Sequence, residues 1–287
     1  MFKHNSSKAK SWFIVGVALL SVPIIYIIMG LMIALVTGSG VIDMTSPLNF
    51  SIVYIALTLV ALSIARIFYG KSFEAIGMYR NYFIRHLCLG AGLGIVAIII
   101  IVVIMLSMGW IVLNGVNLSN LGHSAFLSGL LLYIYVGVFE EVLFRGVLMT
   151  SLKENYSKWS AVILTSLIFG AFHIFNASIT ILSVINIILI GVMLAYLFIK
   201  TGSIWASIAA HFTWNFTLGN IFGINVSGVE VFSIIDMEIT GPLWVTGGEF
   251  GAEGGVICTA VVLLVILYIR FGMKQQTQFW VADKNLK

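Results

Sequence analysis

Residues Tyr135–Leu148 read YVGVFEEVLFRGVL. They set two adjacent carboxylates, Glu140 and Glu141, and one guanidinium, Arg145, inside an otherwise apolar run. Glu141 and Arg145 are four positions apart, so on a helix they share a face and can pair, with Glu on the favoured N-terminal side. Glu140 is turned about 100° from that face and needs a partner from another element. Two later apolar runs carry candidates. Phe169–His173 reads FGAFH, and His211–Asn215 reads HFTWN, with His211 and Asn215 again four apart. A carboxylate, two imidazoles and an amide at one depth can bind and deprotonate a water, or hold a metal that does so. They can also donate to a tetrahedral oxyanion. Peptide hydrolysis needs both. Each group alone has a plainer use: a histidine as an interhelical hydrogen-bonding residue, Asn215 as helix glue, and Glu141–Arg145 as a structural pair. Together the groups fit a hydrolase and a proton-coupled transporter equally well.

The elements that position these residues follow from composition. The chain has 287 residues, 60% hydrophobic and 9% charged, where soluble domains carry about 25% charged residues. That predicts an all-α, polytopic membrane bundle forming a single integral domain over 1–287. The net charge of +4 does not point to nucleic acid, because the basic residues are dispersed over loops. Cys88 and Cys258 give neither a disulfide framework nor a CxxC signal. The basic N-terminus followed by an apolar run to Val36 exceeds a signal-peptide core in length, so it reads as a retained first span.

Eight apolar segments emerge: 11–36, 50–69, 83–108, 124–152, 159–174, 179–199, 203–222 and 255–272. A span takes about 20 residues, so 159–174 is short. Glu140 and Glu141 fall near the middle of the fourth segment, where a charge costs roughly 2.5–3.5 kcal/mol even on lenient scales and marks function by default. Of the 15 Lys and Arg residues, the 14 other than Arg145 sort to one side under eight spans. They include Lys3, Lys8 and Lys10 before the first span and Arg270, Lys274, Lys284 and Lys287 after the last. The opposite loops 37–49, 109–123, 175–178 and 223–254 contain no Lys or Arg. By the positive-inside rule both termini are cytoplasmic. His4 and His123, in a tail and an outer loop, carry no expected role, and His86 is expected at the interface.

The loop 223–254 contains Glu230, Asp236, Glu238, Glu249 and Glu253, and its end reads TGGEFGAEGG from Thr246 to Gly255. The plain expectation is an outer surface loop. The alternative is a re-entrant or lid segment packed over a site. Small residues in GAGLG, Gly90 to Gly94, are expected to let helices approach closely.

Taken in order, FEEVLFRG (EExxxR), FGAFH (FxxxH) and HFTWN (HxxxN) on successive segments resemble the CPBP intramembrane proteases, as does TGSIWASIAAHFTWNF, Thr201 to Phe216. That family includes the CAAX prenyl endopeptidases and the Abi-type proteins associated with bacteriocin immunity. The loop LWVTGGEFGAEGG resembles the one after the third motif in many bacterial members, which carry Pro where Ala252 stands. The resemblance covers about 124–255, the expected protease core. It implies an intramembrane endopeptidase in a bacterial plasma membrane, acting on a membrane-associated peptide or protein. It implies that Glu140 activates the water, His173 assists, and His211 and Asn215 complete the site, with Glu141 and Arg145 in support. It leaves open whether Glu140, His173, His211 and Asn215 hold zinc; Asn is an uncommon zinc ligand. A non-catalytic immunity or binding protein and a proton-coupled transporter are the alternatives.

Overall fold

The computed structural model describes residues 7–38, 46–70 and 72–275. Lys3, His4, Lys71, Lys284 and Lys287, used above for orientation or set aside, lie outside the described residues. Eight principal helices occupy the eight expected segments: α1 (Lys8–Thr37), α2 (Pro47–Tyr69), α3 (Phe83–Ser107), α4 (Ser124–Lys153), α5 (Lys158–Phe172), α6 (Ile181–Thr201), α7 (Ile204–Phe216) and α8 (Val256–Gly272). The chain is an all-α polytopic membrane bundle. Among the described residues α1, α2, α3, α4 and α6 are long and apolar enough to cross a bilayer, and α5, α7 and α8 are shorter.

Local chemistry sets the ends. Ser7 and Ser157 cap α1 and α5 by accepting from backbone N–H groups. Thr180 and Ser183 form a reciprocal capping box at α6, which satisfies donors a helix start leaves open. Gly202, in the left-handed region at φ 64°, closes α6, a conformation that costs glycine little.

Two helices form the centre. Every residue of α4 from Phe139 to Leu152 is buried, as is nearly all of α7. The outer helices keep apolar faces exposed, such as Leu20, Ile24, Ile27, Leu31 and Leu35 on α1, as a lipid-facing surface requires. Gly90 on α3 has no side chain because a Cβ there would run into the Ala206 carbonyl of α7. The close approach expected of GAGLG is therefore between α3 and α7.

The basic helix ends converge. Trp12 Nε1 donates to Tyr156 Oη (2.7 Å), Trp205 Nε1 donates to the Tyr79 carbonyl (3.0 Å), and Lys200 Nζ donates to the Arg270 and Met273 carbonyls (2.8 and 2.9 Å). His86, expected at the interface, is buried at the start of α3.

At the opposite end, the segments expected as loops contain two strands, β1 (Ile111–Val116) and β2 (Ile235–Ile239). They pair antiparallel, from Ile111 opposite Ile239 to Val116 opposite Ile235, with an irregularity between Leu113 and Gly115. Asp236 and Glu238 project outward on β2 while their neighbours are half-buried. This ribbon fixes the middle of the 223–254 segment. The rest of that segment folds back into the bundle.

Candidate active site

Just past Glu141 the hydrogen-bonding of α4 widens, and Val142–Met149 is π-helical and fully buried. Such turns are rare and gather at functional positions. Arg145 sits within this stretch. Its Nη1 donates to Glu141 Oε1 (2.8 Å) and its Nη2 to the Gly191 carbonyl of α6 (2.7 Å). The expected Glu141–Arg145 pair is thus present and ties α4 to α6.

The same Glu141 oxygen lies 3.0 Å from His211 Nδ1 on α7. A carboxylate held by a guanidinium only accepts, so Nδ1 carries a proton, and in the neutral ring Nε2 keeps its lone pair. His211 Nε2 then stands 3.8 Å from Glu140 Oε2. That is too long for a direct hydrogen bond and suits one bridging water. Glu140 Oε2 is buried and accepts no hydrogen bond among the described residues. The partner that the sequence required for Glu140 is His211, supplied by α7.

His173 ends α5. Its Nδ1 is 2.8 Å from the Phe169 carbonyl, which can only accept, so here too Nε2 remains an acceptor. The Phe169 ring separates the two histidines, with centroids 4.9 Å from His173 and 6.1 Å from His211, and Arg145 Cζ lies 4.9 Å from its centre. Glu140, His173, His211 and Asn215 all line one cavity of about 100 Å³, walled by apolar residues of α2, α4 and α6. Glu141 and Arg145 lie behind it.

The cavity's remaining wall comes from the outer segment. Glu253 is 3% exposed. Trp214 Nε1 donates to its Oε1 (2.9 Å), and the Ser227 N–H and hydroxyl donate to its Oε2 (2.7 and 2.6 Å). Asn186 Nδ2 on α6 donates to the Glu253 and Gly255 carbonyls (2.7 and 2.9 Å). Gly251 makes this path possible: its φ is 93°, and a Cβ would strike the Asn225 carbonyl. The surface-loop expectation therefore holds for Glu230, Asp236, Glu238 and Glu249, which keep at least part of their surface open. It fails for Glu253, whose part of the segment packs over the site and leads into α8. The glycine run that suggested the lid alternative holds both Glu249 and Glu253, so it did not single out Glu253.

With this geometry in place, the comparisons fall on one region. The family model for type II CAAX prenyl endopeptidases, Rce1-like, matches residues 122–217. Over this third of the chain the protein resembles that family. The matched segment contains all six residues singled out from the motifs, agrees with the CPBP resemblance, and supports a CAAX-type intramembrane endopeptidase in general terms. It ends before Glu253. No curated protein and no solved structure matches the chain.

The structure does not gather the expected zinc set into a ligand group. Among the described residues no three His, Cys, Asp or Glu side chains form a metal-holding group. Both histidines give Nδ1 to protein acceptors, which leaves Nε2 of each as the open ring nitrogen, an arrangement that metal-ligating histidines share.

Proposed function

We propose that this chain is an endopeptidase of a bacterial plasma membrane, with both termini cytoplasmic, that hydrolyses a peptide bond in a membrane-associated peptide or protein. The observation that carries the reading is Glu140 Oε2 facing His211 Nε2 at 3.8 Å. With the imidazole neutral both are acceptors, and a water between them directs its two hydrogens to them and its lone pair outward. Glu140 takes one proton as the water oxygen bonds to the scissile carbonyl carbon. Asn215, one turn from His211, donates to the oxyanion. His173 Nε2 accepts from a substrate N–H and fixes the peptide's register. Collapse of the tetrahedral intermediate breaks the C–N bond, and the protonated Glu140 returns its proton to the leaving nitrogen. A positioned base of this kind contributes about 10²–10⁴-fold. The apolar walls favour an apolar stretch of substrate.

The test is mass spectrometry of protein and peptide termini in membranes from cells lacking the protein, complemented with wild type or Glu140→Gln at matched expression. Termini seen only with wild type support proteolysis and name the substrates. Identical termini, with a phenotype retained by Glu140→Gln, replace the proposal with a binding or immunity role. Loss of solute uptake in the variant, with membrane peptides intact, replaces it with transport.

A further inference from the structure

The inference lies at the basic end of the bundle and is independent of the proposed reaction. Three helix ends meet there: the first turn of α5, the last turns of α6, and the end of α8. Lys158 Nζ lies 4.8 Å and Arg270 Cζ 5.2 Å from the centre of the Trp159 ring. Trp159 packs against Tyr196 with centroids 5.2 Å apart, and Arg270 Nη1 donates to Tyr196 Oη (3.0 Å). Among the described residues neither Lys158 nor Arg270 has a carboxylate within ion-pair distance. Two cations are thus preorganised on one aromatic pair with no carboxylate among the described residues to balance them. A guanidinium presents a fork that matches phosphate oxygens, and an ammonium adds a point charge.

Below this cluster, α6 runs between α5 and α8, both of which pack on it. Its Ile185, Leu189, Val192 and Tyr196, at helical spacing, form a stripe that stays at least partly exposed. Ile163 and Leu167 on α5 and Leu264 and Leu267 on α8 are exposed beside it. An apolar furrow therefore leads down from an unbalanced basic and aromatic rim.

We propose that this is a binding site for an anionic phospholipid, its headgroup phosphate held by Arg270 and Lys158 over Trp159 and Tyr196, and an acyl chain lying along the α6 stripe. Basic pockets between helices on the cytoplasmic side suit such headgroups. A free phosphate would use the rim but not the furrow.

The test is native mass spectrometry of the full chain after exchange into micelles containing equal phosphatidylglycerol and phosphatidylcholine. Wild type is expected to retain phosphatidylglycerol preferentially, and Lys158→Gln/Arg270→Gln to cut that preference about thirtyfold for the two charges. Arg80→Gln/Arg85→Gln removes the same charge from the exposed start of α3 and is expected to keep the preference. Trp159→Leu leaves both cations in place and is expected to lower it about threefold through lost cation–π contact, which keeps the test alive should the double variant fail to fold. Equal loss in the α3 variant would reduce the effect to general surface charge and overturn the site. So would displacement of the lipid by inorganic phosphate, or no preference in wild type.

Discussion

Replacing Arg145 by Met removes two hydrogen bonds at once, to Glu141 Oε1 and to the Gly191 carbonyl, and leaves Glu141 at 0% exposure without its counter-ion. Removing one member of a buried ion pair costs about 3–5 kcal/mol, because the other charge stays buried and uncompensated. At roughly 2–4 °C per kcal/mol for a large domain, the thermal midpoint in detergent should fall on the order of 10 °C. The double variant Glu141→Gln/Arg145→Met removes both charges and should recover most of that loss, since neutral replacement of a whole buried pair is often tolerated. Cleavage should not recover. His211 Nδ1 would then face an amide that presents either C=O or NH₂, and the proton is no longer held on one nitrogen. A mis-set tautomer at a catalytic histidine costs about 10⁴-fold in the serine-protease precedent, so a loss of roughly 10²-fold or more is expected here. The midpoint comes from a thermal melt followed by tryptophan fluorescence, and the rate from a peptide identified by the termini experiment. A fall below about 2 °C in the single variant, less than 1 kcal/mol on this scale, would refute the compensation argument. Wild-type cleavage by the double variant would refute the role given to His211.

Glu253→Gln should leave one of the Trp214 and Ser227 donors facing an NH₂ group, at about 1–3 kcal/mol; hydrogen exchange at 226–229 should speed up and KM should rise more than kcat falls. Gly90→Ile should force α3 from α7 and lower the midpoint, whereas Gly92→Ile, two residues on, where a Cβ would meet nothing within 4 Å, should leave it unchanged; a melt of each decides. Chelation with EDTA or phenanthroline should leave cleavage intact, and a loss restored by added zinc would instead assign the site a metal.

The helices were legible because a bilayer imposes length and apolarity on each segment, and the basic residues sort by side. The motif residues were legible because i, i+4 spacing fixes a shared face without any tertiary knowledge. What links them was not. That Glu141 bonds His211 as well as Arg145, and that Arg145 reaches Gly191, depends on how α4, α6 and α7 cross. The π-helical stretch has no signature in VLFRGVLM, since hydrophobic residues there satisfy either geometry. The strand pair was hidden because its partners lie more than a hundred residues apart. In addition Asn114–Gly115, a turn-like dipeptide, sits at the irregularity of β1 rather than in a hairpin. Glu253 looked like its four acidic neighbours in the loop. Only the folded path, which demands glycine at Gly251, separates it from them.

The wall around Glu253 also orders the protein's synthesis. Glu140 and Arg145 leave the ribosome early, His211 and Asn215 some seventy residues later, and Glu253 only after β2 and most of the outer segment. Until residues 226–255 are made and docked onto Asn186 and Trp214, the pocket lacks one side. The nascent chain therefore carries its motif residues through insertion as a half-built cleft, and a chain truncated before β2 would hold every one of them yet lack the surface that closes around them.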